Sequence, residues 1–542
     1  MVASLVSHFT IKRRLKGACV AVLLAFLLAG SVWSQSTPAQ SPTPPSQSQQ
    51  SGTTQTVPGA GATIQNQPSQ QSGSANQQSE GEASQQSQSE FSQAQEQPEP
   101  ETRITKEQAK ELFRSVDEIL DFVSQDTGLP IESKVKRNLI TREQVEKYVD
   151  KRMRDDKDEK RLEQSRLVLQ KFGLLPPNYD LHGEFLRLMA EQVAAYYDPK
   201  TKSVNLLDWV QPDAQKPILA HELTHALQDQ KVGVEKWELA GAKDDATPLP
   251  DQQEYVVEEE QAARQCVTEG QGMAVMFDYS LAPFGKSLLT APEIVTAMRA
   301  TMGDSKDSPV FAAAPMFLKE SLLMPYTFGL DFVRTVLMNK GKEAYSMMLE
   351  NPPIDTRQIM QPETYLLHQQ VAPLIIPDLD KIVAPAYKRF DFGGMGEFDI
   401  YLLAKQYGAE DTPNYYRHWR GGYYYAAQAK NAPKDQIAML FFTRWDSPQA
   451  AQDFAKLYAD YLPKRYQGTV KWNATCSASS KGAAQPHDCN VWSGTTNEGP
   501  FVIERNGSDL LIMEGFDPGV IEKARGVLFF HMMPAQPAKS SH

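Results

Sequence analysis

The sequence predicts an α+β protein with two folded parts, a helix-rich one over residues 103–370 and a smaller α+β module over residues 371–542. Three observations carry this. Apolar residues recur at helical spacing early in the first part: Ala109, Leu112, Phe113, Val116, Ile119, Leu120 and Phe122. Short apolar runs divided by turn residues fill the second part, with Asn506-Gly507 as a hairpin signal between residues 500–505 and 509–514. Ahead of both, residues 35–102 are dominated by Ser, Gln, Pro, Gly, Thr and Glu. They lack the aliphatic side chains that offset chain entropy, so they read as a disordered linker.

Composition narrows the function classes. With 542 residues, 41% hydrophobic and 23% charged, the chain can build two or three ordinary cores. A net charge of -12 argues against a nucleic-acid partner. Residues 1–34 read as a signal peptide: Lys12, Arg13, Arg14 and Lys16 precede an apolar run over 17–30, and Val32 and Ser34 suit a cleavage site. The expectation is an exported protein, secreted or periplasmic; an uncleaved segment would instead tether it to a membrane. Cys19 lies inside the apolar run, which argues against a lipoprotein, and no second long apolar run follows. Cys476 and Cys489 are close enough to form a disulfide after export, leaving Cys266 as a buried, inert thiol.

Element by element, a helix is expected over 107–123 and a second helical run from Thr141, its N-cap, to residue 172, with the charges of 151–161 on a solvated face. Pro176-Pro177 breaks the chain before a helix over 181–195. Asp198-Pro199-Lys200-Thr201 turns a hairpin within 196–207, either scaffold or a sheet edge on which an extended peptide pairs. In the C-terminal module, a helix is expected near 402–407 and a strand over 436–442. Ser447 and Pro448 stand at N-cap and N1 of a helix over 449–461. Strands follow near 468–472, 491–493, 500–505 and 509–514, and a helix over 520–530 closes the chain. This module shows no catalytic constellation. Its expected task is to wall a cleft or bind a substrate or partner.

The strongest chemical signal is His221-Glu222-Leu223-Thr224-His225, within a helix expected over 215–230. Histidines at i and i+4 project from one helix face, so two neutral nitrogens can reach one zinc ion (Zn2+) at about 2.0–2.1 Å. Glu222 is placed to take a proton from a water whose pKa such an ion lowers toward about 7. A third ligand is needed, and the candidates are Glu254, Glu258, Glu259, Glu260, Glu269 and Asp278. Glu269 shares its helix face with Ala262, Cys266, Met273 and Met276. A carboxylate on an apolar face is costly unless paired, so it is the chosen ligand. Gly270 and Gly272 would let another helix approach closely. Glu258-Glu259-Glu260 reads as solvated surface at a helix start. His182, His368, His487 and His531 have no ligand spacing and read as structural or surface.

Residues 220–230, Ala-His-Glu-Leu-Thr-His-Ala-Leu-Gln-Asp-Gln, resemble the active-site helix of gluzincins, the thermolysin-like zinc metallopeptidases. Glu269-Gly270-Gln271-Gly272-Met273-Ala274 is similar to the segment that supplies the third ligand in some bacterial members. Tyr197-Asp198-Pro199, Met324-Pro325-Tyr326 with Gly329 and Phe332, and residues 352–365 extend the likeness to a group of exported bacterial proteins over roughly residues 170–370. The resemblance implies a zincin-like metallopeptidase domain over 103–370. It implies zinc on His221, His225 and Glu269, Glu222 as general base, and a peptide or protein substrate. Tyr326, after Pro325 at the opening of a helix expected over 327–338, is the candidate oxyanion donor; the aromatic groups at 415–420 and 423–425 are a second option. Two features depart from the pattern. Met273 stands where an Asp usually orients the first histidine, and the long interval from His225 to Glu269 holds an insert over 232–250 expected to loop over the cleft. The other reading is an inactive, metallopeptidase-like binding or chaperone-like protein that keeps the zinc site.

Overall fold

The computed structural model describes residues 103–473 and 490–530, apart from 146, 148–155, 193–194, 240–250, 294–295 and 298–307. The expected signal peptide, the 35–102 linker, the Cys476–Cys489 pair, His487, His531 and most of the 232–250 insert lie outside the described residues, as does the start of the 151–161 charge run. The protein is a mixed α+β fold that ends in an antiparallel sheet.

Helix α1 (Lys106–Thr127) starts at a capping box between Thr105 and Gln108 and stops at Gly128, whose φ of 74° suits a residue without Cβ. Its buried stripe is Leu112, Val116, Ile119, Leu120 and Val123, the apolar face legible in the sequence. Strand β1 (Lys136–Ile140) follows, where no strand was expected. Helices α2 (Asp156–Lys171) and α3 (Leu181–Gln192) come next. The expected hairpin forms from β2 (Tyr196–Asp198) and β3 (Ser203–Leu207), with Tyr197 opposite Val204. β1 adds to β3 in parallel, giving the order β1-β3-β2.

Helix α4 (Pro212–Val232) carries the His-Glu motif. Pro212 suits its first turn, and Gly233, φ 67°, ends it. The buried Gln215 side chain accepts from Leu207 N and donates to Leu207 O and Val210 O, which locks the helix start to the end of β3. Helix α5 (Asp251–Leu281) packs against α4 and against α6 (Met316–Lys340). A Cβ on Gly270 would lie 2.3 Å from the Gly329 carbonyl oxygen, and one on Gly329 would lie 2.4 Å from that of Cys266. Only glycine allows this crossing of α5 and α6. The expected helix opening after Pro325 is corrected: α6 starts at Met316 and runs through Pro325. Proline normally ends a helix because it lacks an N–H and crowds the preceding turn. Here Met324, Pro325, Gly329 and Leu330 are all buried, and packing on both sides of Pro325 outweighs that local signal.

The C-terminal sheet contains β4 (Tyr387–Gly394), β5 (Trp419–Ala429), β6 (Ala438–Trp445), β7 (Lys471–Trp472), β8 (Val491–Thr496), β9 (Gly499–Asn506) and β10 (Asp509–Glu514). Their order is β4-β5-β6-β10-β9-β8-β7, antiparallel throughout. Helices α7 (Glu397–Tyr407), α8 (Pro448–Arg465) and α9 (Pro518–Phe530) accompany it. Ser447 caps α8 by accepting from Ala450 N, with Pro448 in the first turn, and Asn506-Gly507 turns β9 into β10. The alternation of β6 sorts two cores: Met439 and Phe441 join Phe454 and Tyr458 of α8, while Ala438, Leu440 and Phe442 join Ile521, Ala524 and Leu528 of α9. The first of these cores is continuous with the residues packed around α1, α4, α5 and α6. Among the described residues, no helix is long and apolar enough to cross a membrane.

Candidate metal centre

Every residue of α4 from Ile218 to Asp229 is buried, so the motif sits in the interior with its histidines turned toward α5. His221, His225 and Glu269 converge there, with one ligand atom of each within 4.8 Å of the others. His221 Nε2 stands 3.0 Å from His225 Nε2 and 3.1 Å from Glu269 Oε2, and His225 Nε2 stands 3.5 Å from the same oxygen. Zinc bonds of about 2.0–2.1 Å at tetrahedral angles set their donor atoms about 3.3 Å apart. The triangle therefore has the size, and the donor set the chemistry, of three ligands of one zinc ion. Gly272, one turn beyond Glu269, makes room for the first histidine: a Cβ there would lie 2.7 Å from His221 Cε1 and Nδ1.

Burial opposes charge on each of these groups, and their mutual attraction decides which ones keep it. Burial lowers His221 to about 4 against the upward pull of Glu269. It also opposes charge on His225, yet the Glu269 and Glu222 carboxylates hold that group at about 9. Glu269 feels the same burial and is brought down to about 2 by His225 and His221. The centre is thus a carboxylate that holds positive charge on His225 while burial keeps His221 neutral.

Glu222 is fully buried, accepts from Tyr197 N of β2 at 2.7 Å through Oε2, and keeps Oε1 without a hydrogen-bond partner. Burial pushes its carboxyl up to about 8. Tyr197 also donates its hydroxyl to Asp229 at 2.8 Å, so strand β2 is held to α4 at two points. Tyr326, 5% exposed on α6, stacks on His221 with ring centroids 6.3 Å apart. Cys266 is buried with its sulfur 3.9 Å from Met324 Sδ, and burial pushes its thiol far up, in keeping with an inert residue.

The acidic run on α5 corrects one expectation. Glu258 and Glu259 are not solvated; they are 1% and 5% exposed. Glu258 accepts from Gly394 N of β4, and Glu259 accepts from Thr356 N and Oγ1. The first turns of α5 face the C-terminal sheet, which a position near a helix start does not reveal. Glu254 and Asp278 also lie apart from the triangle, Asp278 accepting from Leu288 N. The aromatic group at 423–425 lies within β5 and is buried, as a sheet face explains, while Tyr416 is buried at the end of a short helix with its ring against Tyr401. His368 is exposed, while His182 is half-buried on α3.

Two residues of the centre were missed in the sequence. Gln228 Oε1 lies 2.9 Å from His225 Nδ1, and Gln228 Nε2 donates to Thr268 O and to Gln271 Oε1. The available signal was an amide at i+3 from His225, on the helix face that carries both histidines of the motif. For His221, Nδ1 has no hydrogen-bond partner of good geometry and the ring lies against the Gly272 backbone, and Met273 stands where the expected pattern has an Asp.

A family model described as a domain of unknown function (DUF8575) matches residues 386–525, the stretch from β4 into α9. No curated protein and no solved structure matches the chain.

Proposed function

We propose that this chain is an exported, zinc-dependent metallopeptidase, with a zincin-like domain over 103–370 and an α+β module over 371–542 beside it. The observation that carries this reading is the buried triangle of His221 Nε2, His225 Nε2 and Glu269 Oε2, with edges of 3.0, 3.1 and 3.5 Å. Bound there, zinc supplies Lewis acidity toward a water and a peptide carbonyl. The protein supplies the rest. His221, His225 and Glu269 hold the ion. Glu222, fixed through Oε2 by Tyr197 N, offers the unpartnered Oε1 as general base for the attacking water and passes its proton to the leaving amine. Tyr326, stacked on His221, steadies the oxyanion. In this reading the substrate is a peptide or protein, and export rests on the basic and apolar pattern of residues 1–34 in the sequence.

A second reading has its own support. His221, Glu222 and His225 are 0% exposed and Glu269 is 4% exposed, which suits a retained zinc site in a binding or chaperone-like protein without turnover. One experiment separates the two. Zinc content per chain and cleavage of a labelled unfolded protein are measured for wild type, Glu269→Ala and Glu222→Gln. The peptidase reading expects about one zinc in wild type, loss of it in Glu269→Ala, and zinc without cleavage in Glu222→Gln. Zinc in wild type with no cleavage leaves the second reading. Unimpaired cleavage by Glu222→Gln rejects its role as base, and a wild type that takes up no zinc rejects both readings.

A further inference from the structure

The hydrogen bonds behind His225 have a direction, and two backbone carbonyls set it. A carbonyl oxygen only accepts, so the Gln271 side-chain atom 3.0 Å from Tyr345 O must be the Nε2 amide. That turns Gln271 Oε1 toward Gln228, where it accepts from Gln228 Nε2 at 2.9 Å. Independently, Thr268 O accepts from the same Gln228 Nε2 at 3.1 Å. Both anchors give Gln228 one orientation, with Oε1 facing His225 Nδ1 at 2.9 Å. An amide oxygen cannot donate, so the proton of that bond is on Nδ1. The neutral ring then presents a bare lone pair on Nε2, the atom that faces His221 and Glu269. The chain of bonds is sealed, since Gln228, Thr268 and Gln271 are all 0% exposed.

We propose that Gln228 and Gln271 are positioning residues that hold the neutral ring of His225 in the Nδ1–H tautomer, so that Nε2 is the nitrogen left to a metal once the ring gives up its second proton. The inference rests on the zinc reading for its purpose, but its geometry stands without an ion. It also assigns different support to the two histidines. His225 is backed through three successive hydrogen bonds, whereas the His221 ring packs between the Gly272 backbone and the ring of Tyr326. Thr268 O anchors Gln228 directly, so Gln271 is the lesser of the two relay members.

The test has two readouts. Histidine-selective nitrogen-15 spectra of the full metal-free protein, taken at a pH high enough to leave the ring neutral, report which nitrogen of His225 keeps its proton. The expected result is Nδ1 in wild type, with a mixture or the other tautomer in Gln228→Met. Zinc affinity by chelator competition is the second readout. Gln228→Met is expected to weaken binding roughly 10- to 100-fold, as loss of a partner behind a metal-bound histidine does. Gln271→Met should weaken it less, and Gln228→Glu, which keeps an acceptor for Nδ1–H, should recover part of the loss. A proton on Nε2 of neutral His225 in wild type overturns the proposal, and so does unchanged tautomer and affinity in Gln228→Met. Should Gln228→Met fail to fold, the wild-type spectrum and Gln271→Met decide by the same criteria. A wild type that binds no zinc yet keeps the proton on Nδ1 removes the zinc reading and leaves the relay standing.

Discussion

At the scale of single residues, the centre depends on one missing methyl group. Gly272 lies against the imidazole of His221, where a Cβ would come within 2.7 Å of Cε1 and Nδ1 and 2.9 Å of Nε2. The ring cannot step aside, because His225 and Glu269 stand on one side and Tyr326 stacks on it. Gly272→Ala should therefore displace His221 and weaken zinc binding by at least about tenfold, although alanine is the better helix former by about 1 kcal/mol. Chelator competition measures this directly, and an affinity within about twofold of wild type would show that the ring has room to move. How much of the centre was legible follows from the range of each interaction. His221, Glu222 and His225 lie within five consecutive residues, so helical spacing alone groups them. Glu269 emerged from a second argument, the cost of a carboxylate on an apolar face. Gln228 and Gln271 escaped because their role exists only when α4, α5 and the Tyr345 carbonyl meet.

Among the elements, glycine separates two opposite effects of the same substitution. On α6, Gly329 is pressed against the backbone of α5, and an added Cβ would lie 2.4 Å from Cys266 O. Backbone yields only if the helices part, so Gly329→Ala should cost about 1–3 kcal/mol of overpacking, more than the helix-propensity gain of about 1 kcal/mol. On α9, Gly526 has no atom within 4 Å of the added Cβ, and Gly526→Ala should stabilise by up to about 1 kcal/mol. Urea unfolding of the two variants checks both signs, and a gain at both sites would mean that the crossing of α5 and α6 is looser than described. Local chemistry made many elements readable. Ser447 with Pro448 marked the start of α8, Asn506-Gly507 marked the β9–β10 turn, and Asp198-Pro199-Lys200-Thr201 marked the β2–β3 hairpin. β1 and β4 were not readable. β1 is Lys-Arg-Asn-Leu-Ile and is held as a strand by pairing with the buried β3. β4 carries Lys388, Arg389 and Asp391 and ends in Gly393-Gly394, whose bare backbone admits the rings of Tyr424 and Tyr255.

Across the whole molecule, α5 joins the candidate centre to the C-terminal sheet. Its far part delivers Glu269, while its first turns are bound to the sheet and the segment before it. Asp251 accepts two bonds from Arg389 of β4 at 2.7 Å each, Glu258 accepts from Gly394 N at 2.9 Å, and Glu259 accepts from Thr356 N at 2.9 Å. Such a seam should leave a mark on the pH dependence of stability. Burial, and then the neighbouring Asp399, raise the Glu259 carboxyl from its ordinary 4.5 to about 7. The folded state therefore binds this proton more tightly than the unfolded chain. The corresponding stability is fully present below about pH 4.5 and is lost as pH rises through about 7. In the Glu259→Gln variant the side-chain amide carries no charge at any pH, so it mimics the protonated acid and escapes the loss. Wild type and variant should thus have similar stability near pH 5, and the variant should be the more stable at pH 8, by on the order of 3 kcal/mol at most. Urea midpoints at the two pH values, taken with a chelator present so that zinc linkage does not intrude, measure the difference. Parallel profiles would mean that Glu259 is charged and fully compensated by Thr356, and that the seam holds α5 by hydrogen bonds to an ion rather than to an acid. The expected divergence would instead identify alkaline pH as the condition that loosens α5 from the sheet, with Glu269 on the same helix.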